Sequence, residues 1–418
     1  MQPIHKKKTF LCFTISIGLA HLVRILAVAE ELQRRGHTVL VTLPKSKHSH
    51  FSNSSVKFID LPDYTTESSM TAIQKFLFQG NFQQHIFNEI ELYDTYHPDA
   101  VLIDFRYTAA ISALAKNIPV FSISNSTALP VVFSLPKFTN FKIISHITSY
   151  IIEFVIVFLK KILIAKISRQ LPKQFTRIQF SDIVQKITYL IPEHRNYMKI
   201  NSKNLKLHYV SLLNWRGFQD MKIPEGFKKK TKNKKIYLTF GGTGFDKNKF
   251  TNLSYQLADK GYDVVVSSSN IAHIKDFKKH HNLFVEKYLP SNKILEIVDL
   301  IICHGGYNTM YEAASHHVPI ISVPFNIDQL IHSYRFQELG LAKCLSTFNI
   351  HFIYLLAKLD LEKFQDIGRK VKIVDIINSV EDIFSNKAEY TKNVHHSQHM
   401  FPSQNGAKKT ADIIEHLT

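Results

Sequence analysis

Between His304 and Gln329 the chain reads HGGYNTMYEAASHHVPIISVPFNIDQ, and polar side chains there follow apolar runs at spacings suited to holding a phosphorylated ligand. VDLIIC reads as a strand, and MYEAASHH begins a helix. Gly305 and Gly306 let the backbone turn sharply and approach a ligand, while the helix start offers unpaired N–H groups and the positive end of its dipole. Together they form a seat for a diphosphate. His304, Asn308 and Thr309 can add donors to phosphate oxygens, and Glu312 can accept from vicinal ribose hydroxyls. Thr309 with Glu312 also has the spacing of a capping box, which would close the helix start with no ligand. Asp328 and Gln329, after the run VPIISVPF, favour the ligand, because an acceptor and an amide at the end of the neighbouring strand suit sugar hydroxyls. A second glycine loop, GGTG at 241–244, follows the strand KIYLTF and could embrace the same phosphates. It is not a P-loop, since no Gly-Lys-Ser/Thr follows, and ISIGLAH does not match GxGxxG, which disfavours nicotinamide or flavin chemistry.

In the first half, IGLAHLVR sets His21 at the mouth of one strand and VLIDF sets Asp104 at the end of another. If they meet, the carboxylate holds one imidazole nitrogen and leaves the other as a general base. If they do not, His21 caps a helix and Asp104 makes an ordinary loop contact. No D-x-D pair offers a carboxylate clamp for Mg²⁺ or Mn²⁺, so the charge of a diphosphate would fall to the helix end and His304. HHSQH at 395–399 reads as surface histidines, and no metal is assigned.

These residues need strands to carry them to one edge. FLCFTIS, HTVLVTL, AVLIDF and PVFSIS alternate with helical stretches such as LVRILAVAEELQRRGH, whose Leu22, Ile25, Leu26, Ala29 and Leu32 form one stripe, with Gly36 ending it. The rhythm blurs from about 129 to 215 and restarts at KIYLTF. Two such halves around a Lys/Gly/Pro segment imply an α/β protein of two doubly wound, Rossmann-like parallel-sheet domains facing across a cleft, with ligands at the strands' carboxyl ends. The expected domains are 1–215, a linker at 216–234, 235–403, and a closing helix at 404–418.

Three scattered cysteines, Cys12, Cys303 and Cys344, make no disulfide framework or zinc spacing, so a reducing, cytoplasmic setting is expected. A formal charge of +18 favours anionic partners. The densest run, KKKTKNKK at 228–235, lacks interleaved aromatics and reads as a solvated linker, so nucleic acid is not expected as the main partner. The basic, apolar N-terminus could pass for a signal peptide, but Arg24 and the missing cleavage-like exit argue for a strand and a helix. IISHITSYIIEFVIVFL at 143–159 packs as a helix, lies in a membrane interface or spans; Glu153 and Lys160-Lys161 favour the first two.

The stretch 304–329 resembles the donor-binding signature of GT-B glycosyltransferases of the UDP-glycosyltransferase type, and is more distantly similar to the MurG and diacylglycerol-glucosyltransferase group. YLP at 288–290 resembles the family's aromatic-x-Pro, lying 14 residues before His304. The resemblance implies that Tyr288 stacks on the base, and that His304, Gly306, Asn308 and Thr309 meet the diphosphate. It further implies that Glu312 holds the ribose, and that Asp328 with Gln329 holds the sugar. Gly242 and Thr243 would lie near the phosphates, with His21 as base and Asp104 as its partner. GAKKTADIIEHL resembles the family's closing helix, packed back on the first domain. Departures include Tyr288 where plant members carry Trp, His317 in place of a Gly, and Ala20 in place of a Gly often found before the histidine. Coverage is strong from Ile236 to Gln329 and poor from Leu129 to Trp215 and beyond about Leu345.

The expectation is an inverting, metal-independent hexosyltransferase with no cofactor, taking a UDP-sugar or dTDP-sugar as donor and a small lipophilic or lipid-linked hydroxyl as acceptor. Phe141 to Lys166 would supply peripheral membrane contact. The alternatives are a nucleotide-sugar epimerase of the same fold and a non-catalytic GT-B partner protein.

Overall fold

Short apolar runs that alternate with amphipathic stretches bury best as parallel strands covered by helices on both faces. The computed structural model has this architecture twice. It describes residues 6–15, 19–64, 76–77, 80–131, 142–200, 203–215, 217, 221–229, 231–241, 245–269, 271–346, 366–402 and 406–418. Two compact units result: Met1–Ser134 with Glu153–Gly217 and Gln404–Thr418, and Leu135–Ile152 with Phe218–Ser403. The stretch Leu135–Ile152, inside the span 1–215, groups with the second unit. That boundary crosses a helix at Lys142–Arg169, and a continuous helical pattern carries no break for a reader to find.

In the first unit seven parallel strands run in the order β3-β2-β1-β4-β5-β6-β7. They are β1 (Thr9–Thr14), β2 (Thr38–Leu43), β3 (Lys57–Asp60), β4 (Ala100–Asp104), β5 (Val120–Ile123), β6 (Thr188–Ile191) and β7 (Lys206–Tyr209). The order reverses at β1 and β4, whose last residues Thr14 and Asp104 pair in register. That switch point is where an open parallel sheet accepts ligands. Helix α1 (Leu19–Arg34) follows β1, and its stripe of Leu22, Ile25, Leu26, Ala29 and Leu32 is fully buried. On the opposite face, Leu11 and Phe13 of β1 and Val101 and Ile103 of β4 join one core with Ile111 of α3 (Tyr107–Ala115), α2 being Gln83–Tyr96. The blurred region from 129 to 215 supplies β6, β7 and α4 (Lys142–Arg169).

Along α4 the side chains of Phe154, Phe158 and Ile162 stand at 62%, 52% and 45% exposure, spaced as one helical stripe, with the two rings 6.1 Å apart and nearly parallel. Among the described residues no helix is long and apolar enough to cross a membrane. The helix Gly406–Leu417 packs on α1: Arg35 Nη1 donates to Glu415 Oε2 at 2.5 Å and Asp412 Oδ1 at 2.7 Å, and His37 Nε2 lies 2.8 Å from Glu415 Oε1.

In the second unit six parallel strands run β10-β9-β8-β11-β12-β13. These are β8 (Lys235–Thr239), β9 (Asp263–Ser267), β10 (Leu283–Glu286), β11 (Leu300–Cys303), β12 (Ile320–Ser322) and β13 (Ala342–Cys344). The strand order again reverses at β8 and β11. Phe240, just after β8, stacks on Phe245 at 4.3 Å, and Phe325, just after β12, meets both rings edge-on. This aromatic cluster ties the loops at the carboxyl ends of β8 and β12 to one core. Lys235, the last lysine of the basic run, opens β8 as the strand KIYLTF implied, and its Nζ donates to the carbonyl of Phe227 at 2.6 Å.

Candidate active site

The first unit brings His21 and Asp104 together. His21 lies in the first turn of α1, and Asp104, nearly fully buried, ends β4. Phe105 turns the chain through φ +60° and sets its ring 5.3 Å from the imidazole. His21 Nδ1 lies 2.7 Å from Asp104 Oδ1. A carboxylate only accepts, so Nδ1 carries the hydrogen and Nε2 is left as an acceptor. That polarity is the one a general base needs.

Sequence reasoning missed a third member. Arg24, also buried, donates from Nε to Asp104 Oδ2 at 2.8 Å and from Nη2 to Asp104 Oδ1 at 2.9 Å. Its Nη1 donates to Asn125 Oδ1, just after β5, at 2.7 Å. A signal existed: Arg24 stands three residues after His21, on the same helical face. In the sequence its charge served only to argue against a signal peptide.

In the second unit the open helix start is α7 (Tyr307–Ser315), after α5 (Lys247–Asp259) and α6 (Ser291–Leu295). Its N-cap is Gly306, which has no side chain to offer, so Thr309 already lies inside the first turn and forms no capping box with Glu312. Gly306 therefore gives the first N–H groups of α7 no side-chain cap of its own. Gly305 adopts φ +80°, and a Cβ there would sit 2.3 Å from Ser333 Oγ. His304 fills a notch between two glycine turns: a Cβ on Gly306 would fall 2.5 Å from its Nε2, and one on Gly241 3.3 Å from its Cε1. The first glycine of GGTG thus abuts His304, while Gly242 and Thr243 lie outside the described residues.

His304 Nδ1 is buried and makes no hydrogen bond among the described residues. Burial holds the imidazole down to about 4, and the nearby Thr239 backbone offsets only part of this. Without a ligand the ring is therefore held in its neutral form, in which it can donate a hydrogen bond.

Glu312, buried, accepts from Ser291 Oγ at 2.6 Å, so the residue opening α6 fixes its carboxylate. Three residues before Ser291, half-buried Tyr288 carries Lys287 Nζ 5.4 Å from its ring centre. Asn308 and Thr309 are partly exposed in the first turn of α7. Asp328 and Gln329 follow β12 by six and seven residues. Both lie in the first turn of α8 (Ile327–Glu338), capped by Asn326, and they diverge. Gln329 turns inward, its Oε1 accepting from the N–H of Phe325 at 2.8 Å. Asp328 has a 49% exposed side chain and lies 3.4 Å from His332 Nε2. Among the described residues no cluster of three or more His, Cys, Asp or Glu could hold a metal ion.

Two all-parallel, doubly wound sheets with sites at their strands' carboxyl ends define the GT-B class. Solved structures share this fold: the kitacinnamycin glycotransferase at a TM-score of 0.69, 16% identity, 98% of this chain and 99% of that one, and VinC, solved with dTDP, at 0.64, 15%, 98% and 100%. Residues 228–364 match the glycosyltransferase family 28 C-terminal domain. A PGL/p-HBAD biosynthesis glycosyltransferase of Mycobacterium tuberculosis is 30% identical over 112 residues, which are 27% of this chain and 26% of that relative. An uncharacterized UDP-glucosyltransferase, YdhE, of Bacillus subtilis is 30% identical over 109 residues, 25% of this chain and 27% of YdhE. The chain thus matches about a quarter of the length of these relatives. The chain has the GT-B fold, and its second half is similar to the glycosyltransferase family 28 C-terminal domain and to these glycosyltransferases.

Proposed function

We propose that the protein is an inverting glycosyltransferase that moves a hexose from a UDP-sugar or dTDP-sugar to a hydroxyl acceptor without a metal ion. The observation that carries this reading is the start of α7 at the side-chain-free N-cap Gly306, behind the Gly305-Gly306 turn, with the half-buried His304 imidazole beside it. In the proposed reaction His21 Nε2 takes the acceptor proton as the acceptor oxygen attacks the anomeric carbon from the side opposite the leaving group. The nucleoside diphosphate departs with its charge met by the N–H groups and dipole of α7, while His304 donates one hydrogen bond. Glu312, held by Ser291, takes the ribose hydroxyls, and Tyr288 lies under the base. Of the two residues expected at the sugar, Asp328 is the better placed, since Gln329 Oε1 is engaged by Phe325.

The acceptor is proposed to be lipophilic, and the support is the exposed Phe154, Phe158, Ile162 stripe with Lys161 beside it, which suits a peripheral, anionic lipid surface. Sedimentation with anionic vesicles should fall when Phe154 and Phe158 become Ser; unchanged sedimentation removes this part.

The first experiment is calorimetric titration with UDP, dTDP and ADP, with His304→Ala alongside. Binding of UDP or dTDP but not ADP, lost in the variant, supports the donor seat. No binding to either overturns it and brings forward the non-catalytic alternative. Interconversion of a nucleotide sugar with no acceptor present would favour the epimerase instead.

A further inference from the structure

We propose that Arg24 is a positioning residue that sets the tautomer of His21, an inference that rests on His21 acting as the base. Asp104 is almost fully buried, and Arg24 supplies its counter-charge through two hydrogen bonds in a fork, Nε to Oδ2 and Nη2 to Oδ1. Side-on pairing of this kind fixes the carboxylate plane as well as its place. The remaining arm, Nη1, reaches Asn125 Oδ1 at 2.7 Å, so the guanidinium joins α1, β4 and the residue after β5 into one frame.

The same guanidinium presents a hazard that shows why its aim matters. Arg24 Nη2 lies 3.1 Å from His21 Nδ1. Arginine has no acceptor, so a hydrogen from Nη2 aimed at Nδ1 would put the imidazole hydrogen on Nε2 and remove the basic lone pair facing the acceptor. Two shorter contacts decide the outcome: Nη2 to Oδ1 at 2.9 Å and Nδ1 to Oδ1 at 2.7 Å. While the fork is intact, Asp104 Oδ1 receives both hydrogens, and His21 keeps Nδ1–H and a bare Nε2. When the fork is lost, the carboxylate can rotate and the preference weakens.

The test uses the full chain with Arg24→Met and Arg24→Lys, the second keeping the charge and removing the fork. Folding is checked by circular dichroism, and UDP affinity by calorimetry. Ring ¹⁵N shifts of His21, assigned by difference from His21→Ala, read the tautomer directly. The expected result is a single Nδ1–H form in the wild type and a mixture of tautomers in both variants. In both, kcat should fall about 10- to 100-fold, with UDP affinity and donor KM unchanged. A folded Arg24→Lys with the wild-type ring shifts and kcat overturns the proposal. Because the shifts do not depend on turnover, an active His21→Ala would refute the base assignment, while a mixed tautomer in Arg24→Lys would still support the coupling of Arg24 to His21.

Discussion

Gly305→Ala perturbs the donor seat where the geometry is least forgiving. Gly305 holds φ +80°, and an added Cβ would lie 2.3 Å from Ser333 Oγ and 3.2 Å from the carbonyl oxygen of Gln329. Holding an L-residue in the left-handed region costs about 1–2 kcal/mol. Forcing a methyl into filled space costs about 1–3 kcal/mol more. The sum is about 2–5 kcal/mol, or a fall in Tm of roughly 5–20 °C for a domain of this size. The one tryptophan, Trp215, donates to Glu30 in the first unit and does not report on the second, so far-UV circular dichroism and calorimetry are the assays. Adding Ser333→Ala removes the 2.3 Å clash and should return about 1–2 kcal/mol, leaving the backbone part in place. UDP binding should weaken in both variants. A single variant within about 0.5 kcal/mol of wild type would refute the strained turn, since ordinary surface substitutions fall in that range.

Glu312→Ala should weaken UDP about 10- to 100-fold, the worth of hydrogen bonds to a charged group, and Ser291→Ala should weaken it less; equal affinities by calorimetry would sink the ribose role. His21→Ala should lower transfer by at least about 100-fold while leaving UDP affinity unchanged, and a product assay with saturating donor checks it. Stability should decline as pH falls from about 6.5 towards 4, because His304 is held down to about 4 in the folded chain and an unfolded chain takes up its proton first. A further decline should follow below the ordinary glutamate range. Glu31 is lowered to about 2, chiefly by Arg34 and then Arg35, and for Glu415 the hydrogen bonds from His37 and Arg35 outweigh burial, which would raise it. Both acids contribute stability above their unfolded values and lose it on acidification. Urea midpoints from pH 7 to 3 test this, and Glu415→Gln should flatten the lower limb.

Fold class was open to a reader of the chain because parallel strands buried on both faces must be apolar runs, and helices between them must be striped: LIIC, TFLCFT and the Leu22 to Leu32 stripe carry that information locally. The glycine turn at 305–306 was equally legible, since only glycine suits φ +80° beside Ser333. Contacts between residues far apart in sequence were not. Whether His21 meets Asp104 depends on the register of β1 with β4, and whether Thr309 caps or lines the helix depends on where α7 begins. Arg24 served only as an argument against a signal peptide until β4 and the residue after β5 supplied Asp104 and Asn125 to hold it. Asp328 and Gln329 looked like a pair until the turn of α8 sent one inward to Phe325 and the other outward. Nothing in the spacing of HGG showed that His304 would sit against both Gly306 and Gly241, where burial lowers its pKa. Spacing along a chain reports which face of an element a residue occupies; only the packed fold decides what that face meets, and whether water or protein surrounds its charge.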